Sequence, residues 1–293
     1  MYDLIIIGAG PAGISASLYA KRANLKVLVL YHGSSQLEKA HLIENYYGFP
    51  GGISGLDLYN NGIQQAKDLG VDVKEAEVTH ITMQEDASFS VTASDQEIQT
   101  KSLIIATGNK KLKPAIKGLE DYEGRGVSYC ALCDAFFFRK KNVVVIGDGT
   151  FALSEADDIA NVAANTMILT NGNDKSLLEK NSCKYQIDTR KIVEITGSED
   201  KSRVKAVKFD DGSELLVDGI FIALGEAGAC DFAKKLGIQL KGDSIVVDNN
   251  MKTNIAGIFS CGNSTGGLLQ ISKAVYEGAL AGLSAVEYIR NLI

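Results

Sequence analysis

Proline occupies only 3 of the 293 positions, too few for a proline-rich disordered or fibrous chain. Long apolar runs are missing as well. The most apolar opening stretch, Leu4 to Ile7, breaks at Gly8 and has neither the basic flank nor the length of a signal sequence. A buried first strand is the simpler reading, and the chain is expected to be cytoplasmic, without a membrane segment. A basic excess is absent too. The 30 Lys and Arg against 36 Asp and Glu leave a formal charge of −6, which gives no general attraction for nucleic acid or anionic lipid. Histidine is down to 3 positions and cysteine to 5, an odd number with uneven spacing. Only Cys130 and Cys133 lie close together, so the cysteines do not read as the framework of a secreted, stapled domain. What is present is a globular composition, 45% hydrophobic and 23% charged, with length for two modest domains.

The first thirty residues form a β-turn-α-β unit. Asp3 to Ile7 reads as a central parallel strand covered on both faces, Gly8 to Gly13 as its turn, and Ile14 to Asn24 as a helix. Lys26 to Tyr31 is the second strand. A related unit follows much later: the strand Asn142 to Ile146, a turn from Gly147 to Ala152, a helix over Phe151 to Ala163, and the strand Thr166 to Leu169. Each unit is followed by an apolar strand that ends in a small-residue turn, Leu103 to Gly108 in the first and Gly219 to Gly225 in the second. Two such units predict an α/β fold with two doubly wound, Rossmann-like domains of the FAD/NAD(P)-binding type. The last seventy residues, with a strand over Gly257 to Cys261 and a long helix over Gln270 to Arg290, could scarcely build a core alone. They are expected to complete the first domain, giving 1–112 and 224–293 around an inserted domain, 113–223. Pro114 and its lysine-rich surroundings fit a hinge.

Two motifs carry chemistry. In Gly8-x-Gly10-x-x-Gly13, Gly8 permits the tight turn, Gly10 lets a pyrophosphate approach the backbone, and Gly13 lets helix pack on strand. Pro11 suits a first helical turn, where its missing donor costs nothing. The usual acidic residue at the end of the second strand is missing; Tyr31-His32-Gly33 stands there. In Cys130-Ala131-Leu132-Cys133-Asp134, a two-residue spacer lets both sulfurs meet in a small disulfide ring. Half of a zinc site would share this spacing, but it needs two more ligands. Cys183, Cys230 and Cys261 are scattered singly, and the histidines lie far away, so no metal is expected. Asp134 is suited to protonate a departing thiolate, or to serve as a helix cap or a solvated charge.

The chain resembles the low-molecular-weight, thioredoxin reductase-like flavoproteins over nearly its whole length. The stretches that carry the resemblance are GAGPAG at Gly8, IENYYGFPGGISG from Ile43, IIATG from Ile104, YCALCD from Tyr129 and GIFSCGNSTGGLLQISKAVYEGALA from Gly257. The resemblance implies FAD on the first fingerprint, at Gly8, Gly10, Pro11, Ala12 and Gly13, with Gln36 and Asn45 nearby. Ala106, Thr107 and Gly108 would pass beside it, and Gly262, Asn263, Gln270 and Ile271 would close around the ribityl chain and flavin ring. Position 263 is usually Asp in the family, so Asn263 keeps a hydrogen bond and loses a charge. Cys133 would take electrons from the flavin, Cys130 would attack the disulfide of a small redox protein, thioredoxin, and Asp134 would be the acid. A homodimer is also implied, while Cys183, Cys230 and Cys261 match no catalytic position and are expected to be structural thiols.

The second fingerprint departs from the family. Gly147-x-Gly149-x-x-Ala152 keeps its outline, but Asp148 puts a carboxylate where a pyrophosphate would approach, and Phe151 is bulky. After the next strand the chain reads Ile168-Leu169-Thr170-Asn171-Gly172-Asn173-Asp174, with no arginine until Arg190. The basic grip on an NADPH 2′-phosphate looks lost. Asn171 or Asn173 would suit the plain ribose hydroxyl of NADH, and Asp148 argues against either nucleotide. The sequence is most similar to the ferredoxin-dependent flavin thioredoxin reductases, a branch with a degenerate nucleotide site. Ferredoxin is therefore the expected donor, docking on Lys110, Lys111, Lys113, Lys117, Arg139, Lys140 and Lys141 unless these are simply solvated charges. NAD(P)H-driven thioredoxin reduction, a flavin-dependent dithiol oxidase and a non-enzymatic flavin-binding scaffold are the alternatives.

Overall fold

Leu4, Ile5 and Ile6 are fully buried, as a strand with neighbours on both sides and layers on both faces must be. They belong to β1 (Tyr2–Ile7), which leads through α1 (Pro11–Arg22) to β2 (Val27–Tyr31). The structure, a computed structural model, describes residues 1–33, 35–94, 96–108, 114–129, 131–181, 184–225 and 228–292. After β2 come α2 (Gly55–Asp68), β3 (Asp72–Glu75), β4 (Val78–Met83), β5 (Phe89–Ala93) and the long β6 (Gln96–Ile105). The first half of β6 pairs antiparallel with β5, and its second half pairs parallel with β1.

The middle of the chain carries β7 (Val127–Ser128), the single turn α3 (Ala131–Asp134), β8 (Asn142–Ile146), α4 (Thr150–Ala160), β9 (Asn165–Leu169), α5 (Ser176–Lys180) and β10 (Gln186–Asp188). It continues with β11 (Ile192–Gly197), β12 (Val204–Phe209), β13 (Glu214–Leu216) and β14 (Gly219–Ile222). The C-terminal part holds α6 (Ala229–Leu236), β15 (Leu240–Lys241), β16 (Ser244–Ile245), β17 (Ile258–Ser260) and α7 (Ile271–Arg290).

The chain divides into two units, 1–110 with 228–293, and 111–227. In the first, the sheet order is β3-β2-β1-β6-β5-β4, with β17 added to β6. Its core gathers Leu4, Ile6, Val29, Ile104 and Phe259 from the sheet with Ala16, Ala281, Ala285 and Ile289 from α1 and α7. These two helices approach closely because α7 offers glycine. A Cβ at Gly278 would stand 2.1 Å from the Ala12 carbonyl oxygen, and one at Gly282 2.5 Å from that of Ala16. In the second unit, β10-β9-β8-β14-β7 form a parallel sheet, and β11-β12-β13 an antiparallel one. Both units thus have the predicted Rossmann-like α/β architecture. Among the described residues no helix is long and apolar enough to cross a membrane.

Candidate active site

In the first unit the carboxyl ends of three strands lie together. Ile7 is opposite Ile105 across β1 and β6, and Ser260 is opposite Ile105 across β17 and β6. The turns after these strands, at Gly8, Ala106 and Gly262, therefore leave one edge, where open α/β sheets bind ligands. Gly8 has φ +112°, and a Cβ there would lie 2.3 Å from the Ala106 carbonyl oxygen. A Cβ at Gly13 would lie 1.9 Å from the Gly8 carbonyl oxygen. Neighbouring backbone fills both places. Gly10 differs, since nothing among the described residues stands within 4 Å of its absent Cβ. α1 begins just beyond, with Pro11 in its first turn, no side-chain cap and no acidic residue there. Its amide donors and the positive end of its dipole thus meet open space that suits an anion.

Two further observations fit a cofactor at this edge. Thr107 Oγ1 is buried without a hydrogen-bond partner among the described residues, and such groups in native proteins usually mark an unfilled contact. Asn45 Nδ2 donates to Gln270 Oε1 at 3.2 Å across 225 residues of chain. The fold thereby joins two positions that the sequence assigns to one site. Gly108 is tied to the last turn by one hydroxyl, since Ser264 Oγ accepts from Gly108 N at 3.1 Å and lies 3.2 Å from the Gly108 carbonyl oxygen. Ala12, Ala106 and Gly262 are buried against this edge, while Asn263 and Ile271 are partly exposed and Gln36, at the start of the 3₁₀ turn Gln36–Lys39, is exposed. Sequence reasoning missed Lys273 and Glu277, which bind the Gly262–Gly266 loop from α7. Their i,i+4 spacing was the available signal.

In the second unit, Cys130, the side chain of Cys133, Cys183, Lys111 and Lys113 lie outside the described residues, as does Lys110 at the end of the first unit's opening segment. Around the pair, Ala131 N donates to Glu155 Oε2 at 2.7 Å, and Glu155 is 1% exposed. Asp134 Oδ2 accepts from Ser128 Oγ at 2.6 Å, so the aspartate does not sit as a merely solvated charge. Phe136 and Phe137 follow it and are 69% and 70% exposed, two large apolar side chains open beside the redox motif. Cys230 and Cys261 are buried.

The second fingerprint keeps its packing. A Cβ at Gly147 would lie 2.1 Å from the Ala223 carbonyl oxygen, and α4 starts at Gly149 without a side-chain cap. One expectation needs correction. Phe151 is 3% exposed, so its bulk is absorbed by the core and does not obstruct the turn. Of the two residues considered for a ribose hydroxyl, Asn171 accepts from Ile192 N through Oδ1 at 2.8 Å, and Asn173 donates to Asp148 Oδ2 through Nδ2 at 2.8 Å. Asp148 and Asn173 thus join the turns after β8 and β9. Arg190 is also committed. It grips Asp188 through Nε and Nη2, reaches Ser213 and Asp211 through Nη1, and stacks 3.9 Å over the Phe209 ring. In return its guanidinium holds the Asp188 carboxyl below the usual carboxylate range.

The profile of the pyridine nucleotide-disulphide oxidoreductase family matches residues 2–278. The chain belongs to this family. It is 36% identical over 306 residues to a thioredoxin reductase of Listeria innocua, an alignment covering 100% of this chain and 95% of the relative. Among solved structures, the atypical thioredoxin reductase TRi from Desulfovibrio vulgaris Hildenborough superposes with a TM-score of 0.91 at 35% identity, over 99% of each chain. A ferredoxin-flavin thioredoxin reductase from Clostridium acetobutylicum gives 0.72 at 32% identity, over 99% of this chain and 98% of that one. The protein is thus a thioredoxin reductase-type oxidoreductase and, like its family, an FAD-binding flavoprotein. The open space at Gly10 and the orphaned Thr107 hydroxyl fit that cofactor.

Proposed function

We propose that this flavoprotein reduces the disulfide of thioredoxin with electrons from reduced ferredoxin, using the Cys130/Cys133 pair carried by the unit 111–227. FAD, when bound at the edge of the first unit, supplies a store that accepts single electrons and gives up a pair. The cysteines do the rest. The Cys130 thiolate attacks one sulfur of the thioredoxin disulfide, forming a mixed disulfide and releasing the other sulfur as thiolate. Cys133 then attacks Cys130, freeing the second thioredoxin thiolate and closing the Cys130–Cys133 bond. Two electrons reopen that bond, and Asp134, anchored on Ser128, delivers a proton to a departing thiolate. Two ferredoxin electrons and two protons are consumed for each thioredoxin disulfide. A ferredoxin near roughly −400 mV and a thioredoxin near about −270 mV leave about 6 kcal/mol for the two-electron transfer.

The observation that carries the choice of donor is the Asp148–Asn173 hydrogen bond across the mouth of the second fingerprint. A nucleotide pyrophosphate would have to break it and then face the carboxylate. Like charges about 5 Å apart oppose each other by about 1 kcal/mol or more. The commitment of Arg190 to Asp188 and Phe209 supports the same reading, because it occupies the first arginine that follows β9 in the sequence. The exposed Phe136 and Phe137 suit a protein substrate docking beside the redox motif.

The test follows the visible flavin spectrum of oxygen-free protein as NADH, NADPH and enzymatically reduced ferredoxin are offered separately, with oxidised thioredoxin added last. Fast bleaching by ferredoxin alone, reversed by thioredoxin, is the expected result. Fast bleaching by either nucleotide favours the second reading, a nucleotide-driven thioredoxin reductase, for which the preserved packing of Gly147 and the uncapped start of α4 speak.

A further inference from the structure

The first turns of α7 carry an ion pair with no place in the chemistry above. Lys273 and Glu277 are 3.0 Å apart at i,i+4 spacing, and their side chains are only 16% and 12% exposed. Surface pairs of this spacing contribute little, and nearly buried ones demand that every donor and acceptor be used. Here the Lys273 ammonium and the Glu277 Oε2 oxygen are both used on one loop. Lys273 Nζ donates to the carbonyl oxygens of Gly262 and Gly266 at 2.9 and 2.5 Å and lies 2.9 Å from Thr265 Oγ1. Glu277 Oε2 accepts from Gly262 N at 2.8 Å and from Thr265 Oγ1 at 2.9 Å. One pair thus satisfies backbone donors and acceptors at both ends of Gly262–Gly266, a segment whose Gly262 and Gly266 have φ of +76° and +73°. Without these partners such a loop would sample other conformations. The opposite side is closed by Ser264 on Gly108. The charges also reach the neighbouring Cys261: burial pushes its thiol well up, with Glu277 raising it further and Lys273 opposing.

We propose that Lys273 and Glu277 are positioning residues that preform the loop presenting Asn263 to FAD, and that their two charges are held in balance beside the bound flavin. The idea rests on the placement of FAD against Gly262–Ile271. If the pair only held α7 together, its loss would weaken the fold without moving the flavin's electronics. If the charges lie within electrostatic reach, removing one leaves the other exposed to the cofactor. An unpaired Glu277 carboxylate disfavours an added electron, and an unpaired Lys273 ammonium favours it.

The test compares the holoprotein and its deflavinated form with Lys273→Met, Glu277→Gln, the double variant and the milder Lys273→Arg. Each neutralising single substitution is expected to accelerate amide exchange across 262–266 in the flavin-free protein and to weaken FAD binding by roughly tenfold or more. The flavin midpoint potential should rank Glu277→Gln above wild type and wild type above Lys273→Met, with the double variant returning close to wild type. Lys273→Arg should keep the potential and lose some affinity, which preserves the test if Lys273→Met does not fold. Potentials that shift in one common direction, or loop exchange unchanged in every variant, overturn the proposal. Asn263→Ala and Gln270→Ala separate this from the underlying placement. If both keep full FAD affinity the flavin has been misplaced, whereas if both lose it and the charge variants do not, the clamp alone has failed.

Discussion

A Cβ added at Gly8 would overlap the Ala106 carbonyl oxygen at 2.3 Å, whereas one added at Gly10 would meet nothing within 4 Å. The two glycines of one fingerprint therefore differ: the fold itself demands the first, whereas no neighbouring described residue demands the second, which is the place proposed for the FAD pyrophosphate. Gly8→Ala is expected to destabilise the flavin-free protein by on the order of 2–5 kcal/mol, through overpacking and an unfavourable positive φ. Gly10→Ala, whose φ of −68° suits any residue, should leave urea unfolding of the same form within about 0.5 kcal/mol of wild type. It should nevertheless lower the flavin-to-protein absorbance ratio. Full, unweakened FAD loading of Gly10→Ala would mean that the pyrophosphate lies elsewhere. A parallel contrast holds at Glu155. Glu155→Leu orphans the buried Ala131 amide and should cost about 1–3 kcal/mol, while Glu155→Gln retains an acceptor and should cost less. Exchange protection of the Ala131 amide checks this directly. None of these distinctions is written in the residue names. The spacing shows that a glycine turn is present, but what fills the missing Cβ of Gly8 is Ala106, almost a hundred residues away.

Elements were legible in the sequence to the extent that their burial was continuous. β1, β2, β8, β14 and β17 are short apolar runs that are largely buried, β9 ends in the buried pair Ile168 and Leu169, and α1 and α7 show helical spacing, so they are legible without the structure. β3 reads Asp-Val-Lys-Glu with three exposed residues, β11 buries only Ile192 and Ile195, and β13 buries none of its three residues. Their pairing is fixed by distant partners rather than local pattern, and no element was assigned there. The ends of elements were equally opaque. Asp148 stood out as a misplaced charge, but its bond to Asn173 depends on β8 and β9 being neighbours. The helical spacing of the long C-terminal segment shows in its sequence, whereas its role as a partner of α1 lies in the close approach at Gly278 and Gly282. Gly278→Val should push the helices apart, destabilise by about 1–3 kcal/mol, and loosen the Gly262–Gly266 loop that α7 holds. A thermal melt of the FAD-loaded protein and its rate of flavin loss would report both. An unchanged melting temperature would mean that the close helix contact is not needed.

At the scale of the whole molecule, the formal charge of −6 opposes an acidic donor such as a ferredoxin, so any productive encounter must rely on a local reversal of sign. The basic positions singled out from the sequence do not contribute equally. Lys117 is bonded to Glu194 at 2.7 Å, and Lys141 stands 5.6 Å over the Phe138 ring. Arg139 and Lys140 are exposed, close in sequence to the redox turn and to Phe136 and Phe137. If this is where the donor lands, the double reversal Arg139→Glu with Lys140→Glu should slow ferredoxin-driven flavin reduction by roughly five- to tenfold at low salt. The difference should fade as the ionic strength approaches about 1 M, where the screening length falls to ~3 Å. Reduction by dithionite, a small donor with no docking surface, should be far less affected and serves as the control for an intact flavin site. A reversed variant that keeps both the wild-type rate and its salt dependence would place the donor elsewhere. A variant that keeps the ferredoxin rate but loses thioredoxin turnover would assign these two charges, with the neighbouring phenylalanines, to the substrate instead.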